Sequence, residues 1–239
     1  MAVLVGTAGW AIGKFAAPSF PSDGGALERY SAVFPAVEIN SSFHRPHRPS
    51  TWERWRDTVP EDFQFSVKIP KLISHQQKLI GSDAALDGFV EQVAGLGQKL
   101  AVLLLQLPPK LEFESKIAAE FLELLSRRCS TQVVCEPRHP TWFEADADAL
   151  LSDMGVARVA ADPARHPDAA DPGGWRGFNY FRLHGSPNIY RSSYGDRIGT
   201  YAQQLRRLSA KNRPTWCIFD NTASSAAISD ALLLQDSLR

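Results

Sequence analysis

Eight short runs dominated by Val, Ile, Leu and Phe recur along the chain: Val3–Thr7, Val37–Phe43, Phe63–Ile69, Leu100–Leu107, Gln132–Glu136, Ala157–Asp162, Phe178–His184 and Thr215–Asn221. Runs of this length bounded by turn residues predict strands. Leu100–Leu107 is apolar almost throughout, the pattern of a strand covered on both faces. Between most of the runs, apolar residues return at helical spacing. Leu86, Phe89, Val90, Val93 and Leu96 form one stripe, and Ile117, Phe121, Leu124 and Leu125 another. Start and stop signals support the helices. Ser50-x-x-Glu53 predicts a capping box, Ser82 an N-cap, and Thr141-x-x-Glu144 a helix running to about Met154, with Gly155 at its left-handed end.

Alternating strands and helices predict an α/β fold, and nearly every strand ends in a polar residue. That combination predicts a single (β/α)8 TIM-type barrel over residues 1–239, with its site at the carboxyl ends of the strands. A doubly wound sheet would produce similar runs, but no glycine-rich dinucleotide fingerprint follows the first strand. Two stretches depart from the alternation. Residues 8–24 are rich in Gly, Ala and Pro, and residues 163–177 hold three Pro and three Gly, predicting an irregular connection after strand six. A third loop, residues 185–199, carries Tyr190, Arg191, Tyr194 and Arg197.

Composition narrows the picture only a little. The 239 residues suit one such barrel, and 26 basic against 26 acidic residues leave any electrostatic steering to local clusters. Cys129, Cys135 and Cys217 form no metal or redox pair, and an odd count argues against a disulfide framework. The longest apolar run is far short of a membrane span, and Met1 leads directly into the first strand run. The expectation is a cytoplasmic protein without a membrane partner, its oligomeric state left open.

Alternation along a strand places residues i and i+2 on one face. Glu38 therefore pairs with Asn40, Glu136 with Arg138, and Arg182 with His184. If these faces line the barrel mouth, Lys68, Arg138 and Arg182 would hold an anion, with Gln106, Asn40 and Asn221 orienting the substrate. Glu38, Glu136, His139 and His184 are the candidates for acid/base catalysis. The competing reading is an internal ion-pair layer in which, for example, Glu136 and Arg182 neutralise one another. His139 could equally serve the helix start at Thr141. Trp10, Tyr190 and Arg191 are the candidate rim contacts, since aromatic and basic residues together suit sugars, bases and phosphates. His44 and His47 lie in a prolyl loop among arginines, a poor metal pair. No dedicated metal-ligand motif occurs and no cofactor is expected, although a divalent metal held by Glu38, Glu136, His139, Asp162 and His184 is an alternative.

Several of these motifs resemble, in order and over nearly the whole chain, the YecE-like proteins, also called the domain of unknown function 72 family. They are Gly6-Thr7-Ala8-Gly9-Trp10, Val37-Glu38-Ile39-Asn40-Ser41-Ser42-Phe43, Phe65-Ser66-Val67-Lys68-Ile69-Pro70, Leu105-Gln106-Leu107-Pro108-Pro109, Glu136–Phe143, Arg182-Leu183-His184-Gly185 and Phe219-Asp220-Asn221-Thr222. The resemblance implies a TIM-type barrel and no particular activity. Pro137 and Asp220 stand where the family more often has an aromatic residue and Asn, and Asp220 adds negative charge to the mouth. The expected function is a barrel enzyme acting on a phosphate-bearing substrate, nucleic acid or sugar phosphate, by carboxylate and histidine acid/base chemistry. A non-catalytic nucleic-acid or small-ligand binder and a metal-dependent phosphodiester hydrolase are the alternatives.

Overall fold

A computed structural model describes residues 3–239. Its strands are β1 (Val3–Ala8), β2 (Ala36–Ile39), β3 (Gln64–Lys68), β4 (Leu100–Gln106), β5 (Gln132–Glu136), β6 (Ala157–Arg158), β7 (Ala160–Asp162), β8 (Gly173–Gly174), β9 (Asn179–Leu183) and β10 (Thr215–Phe219). Adjacent pairs are parallel except β6–β8, which is antiparallel. Strand six is interrupted at Val159: its first half, β6, pairs with β5 and its second half, β7, with β9. The ladder thus runs round an eight-position barrel, as predicted.

The helices α1 (Ala26–Ser31), α2 (Pro49–Thr58), α3 (Asp83–Val93), α4 (Ser115–Arg128), α5 (Ala145–Asp153), α6 (Ile198–Ser209) and α7 (Ala226–Leu238) follow the strands. After strand six there is instead a short 3-10 turn, Pro167–Ala170, and the β8 hairpin-like return. Two predicted starts differ. α2 begins at Pro49 with Arg48 as N-cap, so Ser50 already lies inside the first turn and no capping box forms. Proline at the first helical position suits a backbone N–H that would be unpaired anyway. The Thr141 segment is a 3-10 turn, Pro140–Phe143, separated from α5 by Glu144 in extended conformation. Gly155, at φ +67°, does end α5 left-handed. Ser82 occupies the N-cap of α3 without a side-chain cap bond.

Two apolar layers form. The larger lies between strands and helices, while Ala36, Val102, Leu104, Val134, Ala157, Val159, Phe178, Tyr180, Trp216 and Ile218 fill the barrel interior. Gly6 is required where β1 meets β2, since a Cβ there would lie 2.3 Å from the Ala36 carbonyl oxygen. The interior plug matters for function because it closes the lower barrel and confines inward-facing polar residues to the upper end.

Candidate functional site

Continuing each interior stripe by two residues gives the site. Ala36 leads to Glu38, Leu104 to Gln106, Val134 to Glu136, Tyr180 to Arg182 and His184, and Ile218 to Asp220, while Ser66 and Lys68 share a face of β3. Glu38, Ser66, Lys68, Gln106, Glu136, Arg182, His184 and Asp220 are all buried.

Arg182 is the hub, with no exposed surface. Its Nη2 donates to Glu38 Oε1 (2.7 Å) and Asp220 Oδ2 (3.0 Å), its Nε to Glu38 Oε2 (3.0 Å) and its Nη1 to Glu136 Oε2 (2.5 Å). Tyr180 Oη bridges Glu38 Oε2 (3.0 Å) and Ser66 Oγ (2.8 Å) beneath it. Three carboxylates converge on one guanidinium, as charges so deep must be paired. Glu136 also accepts from Gln106 Nε2 (3.0 and 3.1 Å) and from Arg138 Nη2 (3.1 Å). Burial pushes the Glu136 carboxyl up, but Arg182, His184 and Arg138 outweigh it and hold it well below the usual carboxylate range.

His184 Nδ1 lies 3.0 Å from Asp220 Oδ2. Its Nε2 is 3.3 Å from Glu136 Oε1 but off the hydrogen-bond direction, so that nitrogen has no partner. Burial lowers the imidazole pKa; Glu136 and Asp220 overcome it, and the net shift is upward. Asp220 is held below its ordinary range by Arg182 and His184 despite burial.

Lys68 differs from every other cation in the cluster. Its Nζ sits 4.0 Å over the Phe43 ring, and among the described residues it has no carboxylate within 4.0 Å. Burial chiefly, then Arg182, lower its pKa to about 8 against the pull of Glu136, Glu38 and Asp220. His75, edge-on to Phe43, is pushed down to about 4 by burial and by Lys68, Arg138 and Lys71, so it is neutral at neutral pH.

A loop of residues 185–197 roofs the His184 side. Gly185 leaves the strand at φ +94°, and Tyr194 Oη accepts from Gly185 N and donates to the Asp162 carbonyl. Asp230, fully buried on α7, receives Ser193 Oγ, Tyr194 N and Asn221 Nδ2. The anchored loop holds Tyr190 at φ +67° with its ring 5.8 Å from that of His184. Tyr190, His184, Arg138, Glu136, Arg165 and Ile189 line a small cleft there.

The predicted residues thus divide. Glu38, Lys68, Gln106, Glu136, Arg138, Arg182 and His184 do assemble, with Asn40 one place beyond Ile39 and Tyr190 on the roof. Glu38 is occupied by Arg182 and Tyr180, and Arg182 by Glu38, Glu136 and Asp220, so the polar atoms of both are already bonded within the cluster. His139 is not in the cluster: its Nδ1 binds Thr141 Oγ1 (2.9 Å) and caps the following turn. Asn221 faces α7 and ties down the roof through Ser192 O and Asp230. Trp10 packs edge-on against Trp55 (5.1 Å), the Arg191 carbonyl is bonded by Ser224 Oγ, and neither residue lines the cleft beside His184. Asp162 pairs with Arg197 (2.9 Å) outside the barrel.

Among the described residues, no three His, Cys, Asp or Glu side chains gather as a metal site. The carboxylates that a metal would use converge on Arg182 instead. Missing from the predicted set were Tyr180, Ser66, Phe43, His75 and Asp230. The i−2 position of Arg182 could have signalled Tyr180, and the charge in an apolar helix could have signalled Asp230.

The family model described as "Protein of unknown function DUF72" matches residues 4–239. The chain is 32% identical over 153 residues to the UPF0759 protein YecE of Escherichia coli K12, covering 62% of this chain and 55% of that protein. It is 27% identical over 147 residues to the UPF0759 protein YunF of Bacillus subtilis 168, covering 59% and 52%. These matches span about half the length of those relatives. A DUF72 family protein of Enterococcus faecalis superposes with a TM-score of 0.84 at 17% identity over 99% of this chain and 95% of that one. A DUF72 family protein of Thermotoga maritima gives 0.81 at 24% identity over 100% and 99%. D-allulose 3-epimerase of a Methylomonas species shares the barrel more distantly, with a TM-score of 0.56 at 11% identity over 100% and 98%.

Proposed function

The chain belongs to the DUF72 family, and we propose that this member is an enzyme acting on a small phosphate-bearing molecule at the mouth of its barrel. The observation that carries the reading is the division of charge. Glu38, Glu136 and Asp220 are engaged by Arg182, whereas Lys68 makes no ion pair among the described residues and Arg138, which shares Glu136 with Arg182, lies at the cleft edge. Lys68 and Arg138 would take the anion. His184, with Nε2 unpartnered and Nδ1 on Asp220, would move the proton. Glu136 and Asp220 act on the substrate through His184, by favouring its protonated form.

Depth favours a sugar phosphate over nucleic acid. Lys68 is 8% exposed and His184 4%, out of reach of phosphates fixed on a stiff duplex backbone. The rim arginine Arg197 is paired with Asp162, and Trp10 packs against Trp55, so two of the basic and aromatic groups that a single strand would use are already engaged.

Ligand-detected NMR titration with inorganic phosphate and a panel of sugar phosphates tests the reading. Binding should weaken at least about tenfold, roughly 1.4 kcal/mol, in Arg138→Leu. Equal binding by wild type and Arg138→Leu, or none by either, would sink the anion site.

A further inference from the structure

Lys68 is the one buried lysine among the described residues, and its surroundings are unusual for a lysine that only neutralises a phosphate. It ends β3 on the interior face, and its backbone is clamped by Ser42 Oγ on the Lys68 carbonyl (2.7 Å). The groups around it come from five strands or their exits: Glu38, Glu136 with Arg138, Arg182, Asp220, and His75. The three carboxylates bond Arg182, leaving Nζ with the Phe43 face. Asn40 Oδ1 is buried without a partner, and Asn40 follows Ile39, whose register partner Val67 precedes Lys68.

We propose that Lys68 is a covalent catalytic residue that condenses with the aldehyde or ketone group of the substrate to form an imine. The proposal rests on the small-molecule reading above and narrows the substrate class to phosphorylated carbonyl compounds. The Nζ lone pair attacks the carbonyl carbon, and the C=O π pair moves to oxygen, which takes a proton from His184. The resulting carbinolamine hydroxyl can donate to the orphaned Asn40 Oδ1. Nζ then gives a proton to His184, its lone pair forms C=N, and the C–O bond breaks with its electrons leaving on oxygen, which takes that proton back from His184 and departs as water. In sum, one carbonyl group, one lysine amine and the first proton from His184 become one protonated imine and one water molecule, with no redox partner.

Burial beside a second cation is a recognised way to activate a lysine. With a pKa of about 8, roughly a tenth of Lys68 is free amine at pH 7, against less than a thousandth of an ordinary lysine. The phenyl face of Phe43 favours the ammonium and works against this.

The full chain is incubated with glyceraldehyde 3-phosphate, or with glyceraldehyde, in the presence of cyanoborohydride, and adducts are mapped by mass spectrometry. The expected result is labelling of Lys68 at least about tenfold faster than of exposed lysines, half-maximal near pH 8. Lys68→Arg should lose the adduct at position 68, since a guanidinium forms no imine under these conditions, while the exposed lysines of the same protein keep theirs. Wild-type protein that binds inorganic phosphate yet labels Lys68 no faster than its exposed lysines overturns the imine and leaves the anion site standing. Equal labelling of Lys68 by both aldehydes, unaffected by inorganic phosphate, keeps the imine and removes the phosphate reading.

Discussion

Replacing Lys68 by methionine should stabilise the fold while removing the free ammonium of the mouth. The lysine pKa falls from 10.5 to about 8 on folding, a drop worth about 3 kcal/mol against the charged form at about 1.4 kcal/mol per unit. Methionine fills nearly the same volume without charge, but forfeits the contact with Phe43, worth about 0.5–2 kcal/mol. The net gain at pH 7 is therefore about 1–3 kcal/mol, or roughly 5 °C in Tm for a chain of this size. The pH dependence separates this cause from repacking. Below pH 8 both folded and unfolded wild type carry the charge, and the folded state bears its full cost. Between about pH 8 and 10.5 the unfolded chain binds a proton that the folded one has released, so wild-type stability rises with pH. The advantage of Lys68→Met should then shrink by up to about 1.4 kcal/mol per pH unit. Urea unfolding of both proteins at pH 7, 8.5 and 9.5 reads it directly. A variant destabilised by more than about 1 kcal/mol at pH 7, or a difference independent of pH, would refute the reasoning. Lys68 would then be a net-favourable member of the ion network.

Arg182→Met should cost about 3–5 kcal/mol or prevent folding, because Glu38, Glu136 and Asp220 would face one another without their shared cation; near-native stability in denaturant would show that the cluster is not held by this guanidinium. The His184 imidazole should titrate above 6.5 in wild type and lower in Asp220→Asn, read by NMR of the ring protons. Because its folded pKa is raised, its pairing stabilises fully below pH 6.5 and is lost as pH rises through the folded value; an unshifted imidazole in both proteins contradicts the assigned geometry. Asp220 and Glu136 have depressed folded values, so their contribution holds above pH 4–5, the ordinary carboxylate range, and is lost on acidification through the folded values. Unfolding at pH 5 without loss of stability in Asp220→Asn would remove Asp220 from that account.

Much of the site was legible because a barrel strand has period two. Parity alone puts Glu38 with Asn40, Glu136 with Arg138, and Arg182 with His184; the structure bonds Arg138 to Glu136 and brings Arg182 and His184 to the same Asp220 oxygen, while Asn40 has already left β2 with helical backbone at the start of a 3-10 turn. The same parity separates Asn221 from Asp220, since Trp216, Ile218 and Asp220 share the interior face while Cys217 and Phe219 lie among strand–helix contacts. His139 was ambiguous for a local reason: two residues before Thr141, an imidazole can cap a turn or reach a mouth, and short-range hydrogen bonding won. His75 carried no signal, because it lies in a single wide turn, Leu72–Gln76, whose direction depends on packing.

By itself the sequence determined the barrel, through eight apolar runs of strand length, and the end of the barrel where polar chemistry gathers. Only the tertiary structure decided which charges neutralise one another and which remain for a ligand. Arg182 and Lys68 look alike in the sequence, each a cation near a strand end. The difference arises because Arg182 projects from β9 into the space between Glu38, Glu136 and Asp220, contributed by three other strands. Coulomb energy in a poorly screened interior depends on separations of a few ångströms, and those separations between β2, β5, β9 and β10 exist only once the barrel has closed.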